Sequence, residues 1–133
     1  MRELATAIES YRLEHGAYPP WVSATDPAAV NAGVEMVGDL PSFRSFGGSL
    51  TTPMAFIDAY PLDWFTRSRA SYVYHSDGDG WILVSPCWDR DYDIDPRRDY
   101  DSRIAQPSEI LLLLSCDPTN GSRSDGDVFR VAQ

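Results

Sequence analysis

The feature that most constrains the fold is a pair of β-branched and aromatic runs separated by SDGDG. In ASYVYHSDGDGWILVSP these runs occupy residues 71–75 and 81–85. Asp-Gly between such runs is a strong signal for a tight hairpin, because glycine tolerates the positive φ of these turns. The sequence therefore predicts an antiparallel strand pair here and a further strand at 127–131, DVFRV. Asp125 and Asp127, in the SDGD that leads into this strand, are interpreted as turn formers.

Near the N-terminus the apolar period is that of an α-helix. The apolar residues at the i, i+3, i+4, i+7 spacing of one helical face are Leu4, Ala7, Ile8 and Tyr11. Charged residues lie mostly off this face, so the pattern predicts an amphipathic helix whose apolar stripe is buried. We expect Leu4, Ile8 and Tyr11 to pack this helix onto the sheet.

The two ends of this helix carry different signals. Gly16 can take the left-handed conformation that closes a helix, and the following Pro19 and Pro20 cannot continue it. The helix should therefore span about residues 2–15. At its start no Ser, Thr, Asp or Asn caps the helix, and the apolar period begins with the chain. We therefore expect Met1 to be an expression start and a longer helix to continue upstream in the natural protein.

The segments outside the helix and the hairpin have weaker patterns. Asp26 and Pro27 could cap and begin a short helix. A turn of helix is also expected over residues 53–60, with its aromatic side chains packed on the core. ILLLL at 110–114 is either a buried strand or a short helix, and periodicity alone does not separate the two.

The predicted fold class is α+β, with an N-terminal amphipathic helix packed on a small antiparallel sheet and a loop-rich middle region. The 133 residues contain no linker-like stretch, so 1–133 should form a single domain with its β-region at about 70–131. The excess of 20 acidic over 11 basic residues gives a net charge of −9, which argues against a nucleic acid partner. The longest apolar run, ILLLL, is far shorter than the roughly 20 residues that cross a bilayer.

The unusual acidic stretch SPCWDRDYDIDPRRDYD carries six aspartates. On a flat strand, alternate residues such as Asp89, Asp91 and Asp93 would have Cα atoms about 6.6 Å apart, so a shared metal ion would require a curled loop. An EF-hand is excluded, because the positions for its glycine and its bidentate acid are occupied by Ile94 and Tyr100. The alternative is a solvated acidic loop whose charge is partly offset by the three arginines of the stretch.

Four blocks in the chain resemble a known family when they are taken in order: LATAIESYRLEHGAYPP, LTTPMAFIDAYPLDWF, YVYHSDGDGWILVSPCWDRDYDI and DPTNGSRSDGDVFRV. They are similar to type IV pilin-like proteins, in particular to major-pseudopilin-like subunits of type II secretion systems. The resemblance covers most of the chain except about residues 21–48. It implies a pilin-like fold whose first block is the end of a long N-terminal helix.

The resemblance also implies what the chain does. Such subunits have no enzymatic activity; they polymerise into a pseudopilus or pilus-like filament for protein secretion, together with minor pseudopilins and an inner-membrane assembly platform. Their upstream hydrophobic helix, matured by cleavage and methylation, is their only membrane contact, and this domain would lie in the periplasm or in a filament at the cell surface. The family further implies a calcium ion in the β-region loop, which here would be bound by Asp89, Asp91 and Asp93.

The two cysteines, Cys87 and Cys116, do not form a C-x-x-C motif that would indicate zinc or redox chemistry. A periplasmic or extracellular location would permit them to form a disulfide. The alternative is two free thiols packed as small apolar residues. The sequence leaves both possibilities open.

A function of another class is an extracellular or periplasmic module that binds carbohydrate through exposed aromatic rings. The tryptophans that could form such a platform are Trp21, Trp64 and Trp88. An enzyme is not predicted, because no nucleophile and base motif accompanies the two histidines, His15 and His75. These histidines are more simply interpreted as a helix C-terminal residue and a strand residue beside a turn.

Overall fold

The computed structural model describes residues 1–19, 22–23, 43–44, 50, 54–66, 72–117, 119 and 124–132. Its elements are α1 (Arg2–His15), β1 (Val22–Ser23), β2 (Phe43–Arg44), β3 (Val73–Ser76), β4 (Trp81–Pro86), α2 (Pro96–Asp99), α3 (Glu109–Leu113) and β5 (Asp127–Ala132). Strands β1 and β2 form a two-stranded antiparallel sheet, and β3, β4 and β5 form a three-stranded antiparallel sheet in that order. The predicted α+β class is confirmed. The helix predicted at Asp26 and Pro27 lies outside the described residues.

Helix α1 ends as the sequence predicts. Gly16 adopts a left-handed conformation with φ of 74°, and its N–H donates to the carbonyl oxygen of Arg12 at 2.8 Å. At the other end, Met1 occupies the N-cap position and provides no side-chain cap. None of the helices in the described part of the chain combines the length and the hydrophobicity that crossing a bilayer requires.

The predicted hairpin is formed by β3 and β4, with Tyr74 opposite Leu83. Asp77 closes the turn, because its Oδ1 accepts the N–H of Gly80 at 3.1 Å and that of Asp79 at 3.3 Å. Gly78 takes a φ of 101°, a conformation that favours glycine. The predicted third strand is also confirmed as β5, so that β4 lies at the centre of the sheet and is buried along its whole length.

Side chains that alternate along the strands divide the core between two faces of the three-stranded sheet. The helix-covered face consists of a cluster that α1 joins: Leu4, Ala5, Ala7, Ile8, Tyr18, Leu50, Tyr74, Trp81 and Leu83. The loop-covered face consists of a second cluster: Val73, Ile82, Val84, Ile94, Tyr100 and Leu111. Because both faces are covered, the central strand has an almost continuous apolar sequence rather than a strict alternation.

The segment that covers the second face contains two short capped helices. Asp95 caps α2 by accepting the N–H of Arg97 at 3.1 Å, and Ser108 caps α3 by accepting that of Leu111 at 3.4 Å. The ILLLL run is therefore a short helix, and Leu111 is its one fully buried residue.

The turn of helix predicted in the middle region is wrong for the described residues 54–60, which contain no helix. Instead, the N–H groups of Phe56 and Ile57 both donate to the carbonyl oxygen of Leu50, at 2.9 and 3.2 Å. A single helical turn gains few hydrogen bonds for the dihedral angles that it fixes, so a local loop competes easily with it. The expected packing is present, because Phe56, Ile57 and Tyr60 are half-buried against the helix-covered face.

Candidate metal site

The acidic stretch does not continue β4 as a flat strand. The chain turns directly after the strand, where the N–H of Arg90 donates to the carbonyl oxygen of Cys87 at 3.3 Å. Arg90 itself has a φ of 62°, in the left-handed region that non-glycine residues rarely adopt. Cys87 is joined to Cys116 by a disulfide. The loop is therefore curled and tied at its base, as a shared ion would require.

Three carboxylates converge at this loop, and they are not the three that the sequence pattern selects. Asp89, Asp93 and Asp125 each offer an oxygen, and these oxygens all lie within 4.8 Å of one another. Asp91 is not a member of this group. The Oδ1 of Asp91 accepts the N–H of the next residue, Tyr92, at 3.0 Å.

Asp127 binds the backbone of the loop that carries Asp93. It is fully buried, and its Oδ2 accepts the N–H groups of Asp93 at 2.9 Å and Ile94 at 2.7 Å. Its Oδ1 is also buried and has no hydrogen-bond partner among the described residues. Burial raises the pKa of Asp127 to about 7, and the charges of Asp93 and Asp89 add to this effect although the two N–H groups oppose it. The residue interpreted as a turn former is thus an anchor of the acidic loop.

The arginines of the acidic stretch do not neutralise the three carboxylates. Arg97 forms its ion pair with Asp95 at 3.4 Å, and Arg98 forms its ion pair with Asp99 at 2.6 Å. Within the described residues, no ion pair involves any member of the group. Burial and then the charge of Asp125 raise the pKa of Asp93. Asp89 and Asp125 are exposed and Asp93 is half-buried, so these three residues also fit the interpretation as a solvated acidic loop.

The three carboxylates could hold a metal ion. Calcium takes about six to eight oxygen ligands, and carboxylates are its preferred side-chain donors. Asp89, Asp93 and Asp125 supply the carboxylates. Asp127, whose buried Oδ1 has no hydrogen-bond partner among the described residues, accepts the N–H of one of them, Asp93. A bound cation would offset the mutual repulsion of these carboxylates.

Asp125 was missed although the sequence contains a signal for it. Strand β5 runs antiparallel to β4, with Pro86 opposite Asp127. Residues that precede β5 must therefore lie beside residues that follow β4. Pairing the two predicted strands in register would have placed Asp125 next to Asp89 and Asp93.

The tryptophans separate into buried and exposed residues. Trp81 is 2% exposed and donates its indole N–H to Glu9 at 2.7 Å, whereas Trp64 is 71% and Trp88 is 58% exposed. Trp88 contacts the ring of Phe65 edge-on, with ring centroids 5.2 Å apart. Trp21 lies outside the described residues.

The two histidines lie apart from the acidic group. His15 stacks on Tyr11 at the end of α1, with ring centroids 4.1 Å apart. His75 is buried beside Tyr100, and burial lowers its pKa to about 4. It lines a cavity of about 500 Å³ with acidic and basic side chains, in which Arg103 pairs with Asp101 at 2.8 Å. This ion pair offsets part of the charge of the cavity wall.

No model of a known protein family matches this sequence, and no match was found among curated proteins or solved structures.

Proposed function

We propose that this chain is the globular domain of a pseudopilin, or of a closely related pilin-like protein, and that it acts as a structural subunit of a filament. The observation that carries the proposal is the docking of α1, whose Leu4 and Ile8 are fully buried against the sheet residues Tyr74, Trp81 and Leu83. Packing of this kind fixes the direction of the helix relative to the sheet. A subunit whose helix continues into a filament core requires such a fixed direction.

The mechanism in this proposal is polymerisation. An apolar helix upstream of α1 anchors the subunit in the inner membrane and then packs with other copies in the filament core, while this domain forms the coat. The partners are further copies of the chain, minor pseudopilins and the inner-membrane assembly platform. The disulfide supports a periplasmic location, since such bonds persist in oxidising compartments.

The reading frame of the natural gene upstream of Met1 tests the proposal. We expect about 20 apolar residues that continue the stripe of Leu4 and Ile8 in helical phase, preceded by a short basic leader and a glycine at the cleavage point. The phase is the internal control, because an unrelated apolar segment has no reason to align with the stripe. An ordinary signal peptide that ends just before Glu3 would overturn the filament proposal.

The proposal includes a calcium ion held by Asp89, Asp93 and Asp125. When bound, it would supply positive charge that links the loop after β4 to the segment before β5. The supporting observations are the convergence of the three carboxylates and the unpartnered oxygen of Asp127 beside them. Calcium would thus stabilise the folded domain, because a ligand that binds only the folded state raises its free energy of unfolding.

Thermal unfolding in calcium and in a chelator tests this part. At a calcium concentration of about one hundred times Kd, the gain should be about 2.7 kcal/mol. A triple variant with Asp89→Asn, Asp93→Asn and Asp125→Asn should lose this gain, whereas Asp91→Asn should retain it. Equal Tm values of the unmodified protein with and without calcium would remove calcium from the proposal.

The exposed tryptophans favour a second candidate function, a carbohydrate-binding module. Trp64 and Trp88 together present apolar ring surface to solvent, and Phe65 supports Trp88 from one side. Aromatic rings exposed in this way can stack on the apolar faces of sugar rings. This candidate does not require an upstream helix, so the two functions are separable.

Tryptophan fluorescence during titration with soluble oligosaccharides tests the second candidate. Binding should change the emission of the unmodified protein, and the variant with Trp64→Ala and Trp88→Ala should show no such change. Buried Trp81 provides the internal reference, because its emission should persist in the double variant. An emission spectrum that no oligosaccharide alters would eliminate the platform.

A further inference from the structure

The three carboxylates of the candidate calcium site come from two separate segments of the chain. Asp89 and Asp93 follow β4, and Asp125 precedes β5. A direct link between these segments is the hydrogen bond from the N–H of Gly126 to the Oδ2 of Asp93, at 3.0 Å. The two N–H groups that Asp127 accepts form a second link, in addition to the pairing of β4 with β5 that ends with Pro86 opposite Asp127.

A third segment, residues 114–116, is bound to both of the others. On one side, the disulfide joins Cys116 to Cys87, only two residues before Asp89. On the other side, the N–H of Cys116 donates to the carbonyl oxygen of Asp127 at 2.8 Å, and the N–H of Asp127 donates to the carbonyl oxygen of Leu114 at 2.8 Å. The disulfide thus completes a covalent and hydrogen-bonded bridge across the base of the site.

The backbone fits closely at this bridge. A Cβ added to Gly126 would lie 2.6 Å from the carbonyl oxygen of Leu114 and 2.9 Å from the carbonyl carbon of Ser115. Gly126 also has a φ of 92°. The segment that carries Asp125 is therefore seated directly on the segment that carries Cys116.

We infer that the Cys87–Cys116 disulfide is a positioning element for the cation, and that it holds Asp89 and Asp93 within reach of Asp125. The inference rests on the calcium part of the proposed function. Without the ion, the three carboxylates repel one another, and this repulsion favours separation of the two segments. The disulfide opposes that separation before the ion binds, so less ordering remains to be done on binding.

Calcium affinity of the oxidised and the bridge-free protein tests the inference. Isothermal titration calorimetry at one pH should give a Kd for calcium that is about tenfold weaker in the variant with Cys87→Ser and Cys116→Ser than in the oxidised protein. The unmodified protein should likewise show about tenfold weaker calcium binding after reduction by a phosphine. The phosphine converts the disulfide to two thiols and is itself oxidised to the phosphine oxide, with oxygen from water. The variant Asp91→Asn should have the same Kd for calcium as the unmodified oxidised protein.

Linkage provides a second measurement that does not depend on folding of the cysteine variant. If the disulfide strengthens calcium binding, calcium must shift the thiol–disulfide equilibrium toward the disulfide by the same factor. In glutathione buffers, saturating calcium should therefore move this equilibrium by about tenfold in the unmodified protein. Calcium should not shift the thiol–disulfide equilibrium in the variant with Asn at positions 89, 93 and 125.

The outcomes separate the two proposals. Equal calcium affinity with and without the bridge, together with an equilibrium that calcium does not move, would overturn the positioning role and leave the calcium proposal intact. No calcium binding by the oxidised protein would overturn both. Neither result bears on the filament proposal, which depends on α1.

Discussion

The two faces of the three-stranded sheet are covered by different kinds of structure. The helix-covered face is closed by α1, a regular helix of 14 residues with four of its side chains buried. The loop-covered face is closed by single apolar residues, Ile94, Tyr100 and Leu111, on a segment whose two helices have only four and five residues. One face of the sheet thus packs against a continuous apolar stripe, and the other face packs against separate apolar residues.

The difference between the two faces shows what a loop needs when it covers a sheet in place of a helix. A helix satisfies its own backbone groups, whereas a loop requires other partners for them. On the loop-covered side, buried carboxylates take this role: Asp127 accepts two N–H groups, and Asp99 accepts that of Asp95 at 2.8 Å. The disulfide then limits the freedom of the loop in the unfolded chain.

Removal of the disulfide should have the largest effect on stability. The bridge spans a sequence separation of 29 residues, and closing a loop of that size stabilises a protein by about 3–4 kcal/mol. Urea unfolding of the variant with Cys87→Ser and Cys116→Ser measures the loss. Hydrogen exchange should show that residues 87–116 lose more protection than α1 does. Equal loss in both regions would show that the two faces do not differ in this respect.

Truncation of the apolar stripe should have the next largest effect, and it acts on the opposite face. Leu4 is fully buried, so Leu4→Ala should cost about 3 kcal/mol through the lost contacts and the cavity. Leu13 is on the same helix and 87% exposed, which makes Leu13→Ala the matched control. It should change stability by less than about 0.5 kcal/mol in urea unfolding. Similar losses in both variants would contradict the docking of α1.

Protonation of His75 should have a smaller effect, limited to acid pH. Burial lowers its pKa from 6.5 to about 4. The charges of Asp77 and Asp95 act to raise this pKa, and the charge of Arg97 acts to lower it. Below pH 6.5 the unfolded chain therefore binds a proton that the folded chain excludes, and stability from this residue is lost as the pH falls toward 4. Between pH 7 and pH 5 the loss should be about 2 kcal/mol.

The variant His75→Gln isolates this contribution from those of the carboxylates. Its free energy of unfolding should fall by about 2 kcal/mol less than that of the unmodified protein over the same range. Parallel pH curves for the two proteins would mean that His75 is accessible to protons in the folded state.

The regular parts of the fold were predictable because their signals are local. The stripe from Leu4, the left-handed Gly16 and the Asp-Gly turn each specify structure within a few residues. The middle region was not predictable in the same way. Over residues 54–60 the carbonyl group of Leu50 competes with a helical turn, and proline and aromatic residues do not reveal which one forms.

The candidate site was only half predictable, because its members are distant in the sequence. Asp89 and Asp93 were identified from their own loop, but Asp125 belongs to it through the pairing of β4 with β5. Asp91 has the spacing that the pattern selects, but it is not among the converging carboxylates. The spacing of aspartates along one loop reveals neither the contribution of Asp125 nor the position of Asp91 outside the group.

Electron microscopy of the native cell envelope, with gold-labelled antibodies raised against this domain, tests the central claim most directly. The protein should appear as labelled filaments. We expect Leu4→Ala in the chromosomal gene to reduce the number of labelled filaments and Leu13→Ala to leave it unchanged. Label confined to dispersed monomers outside the membrane, in cells that express the protein normally, would contradict it.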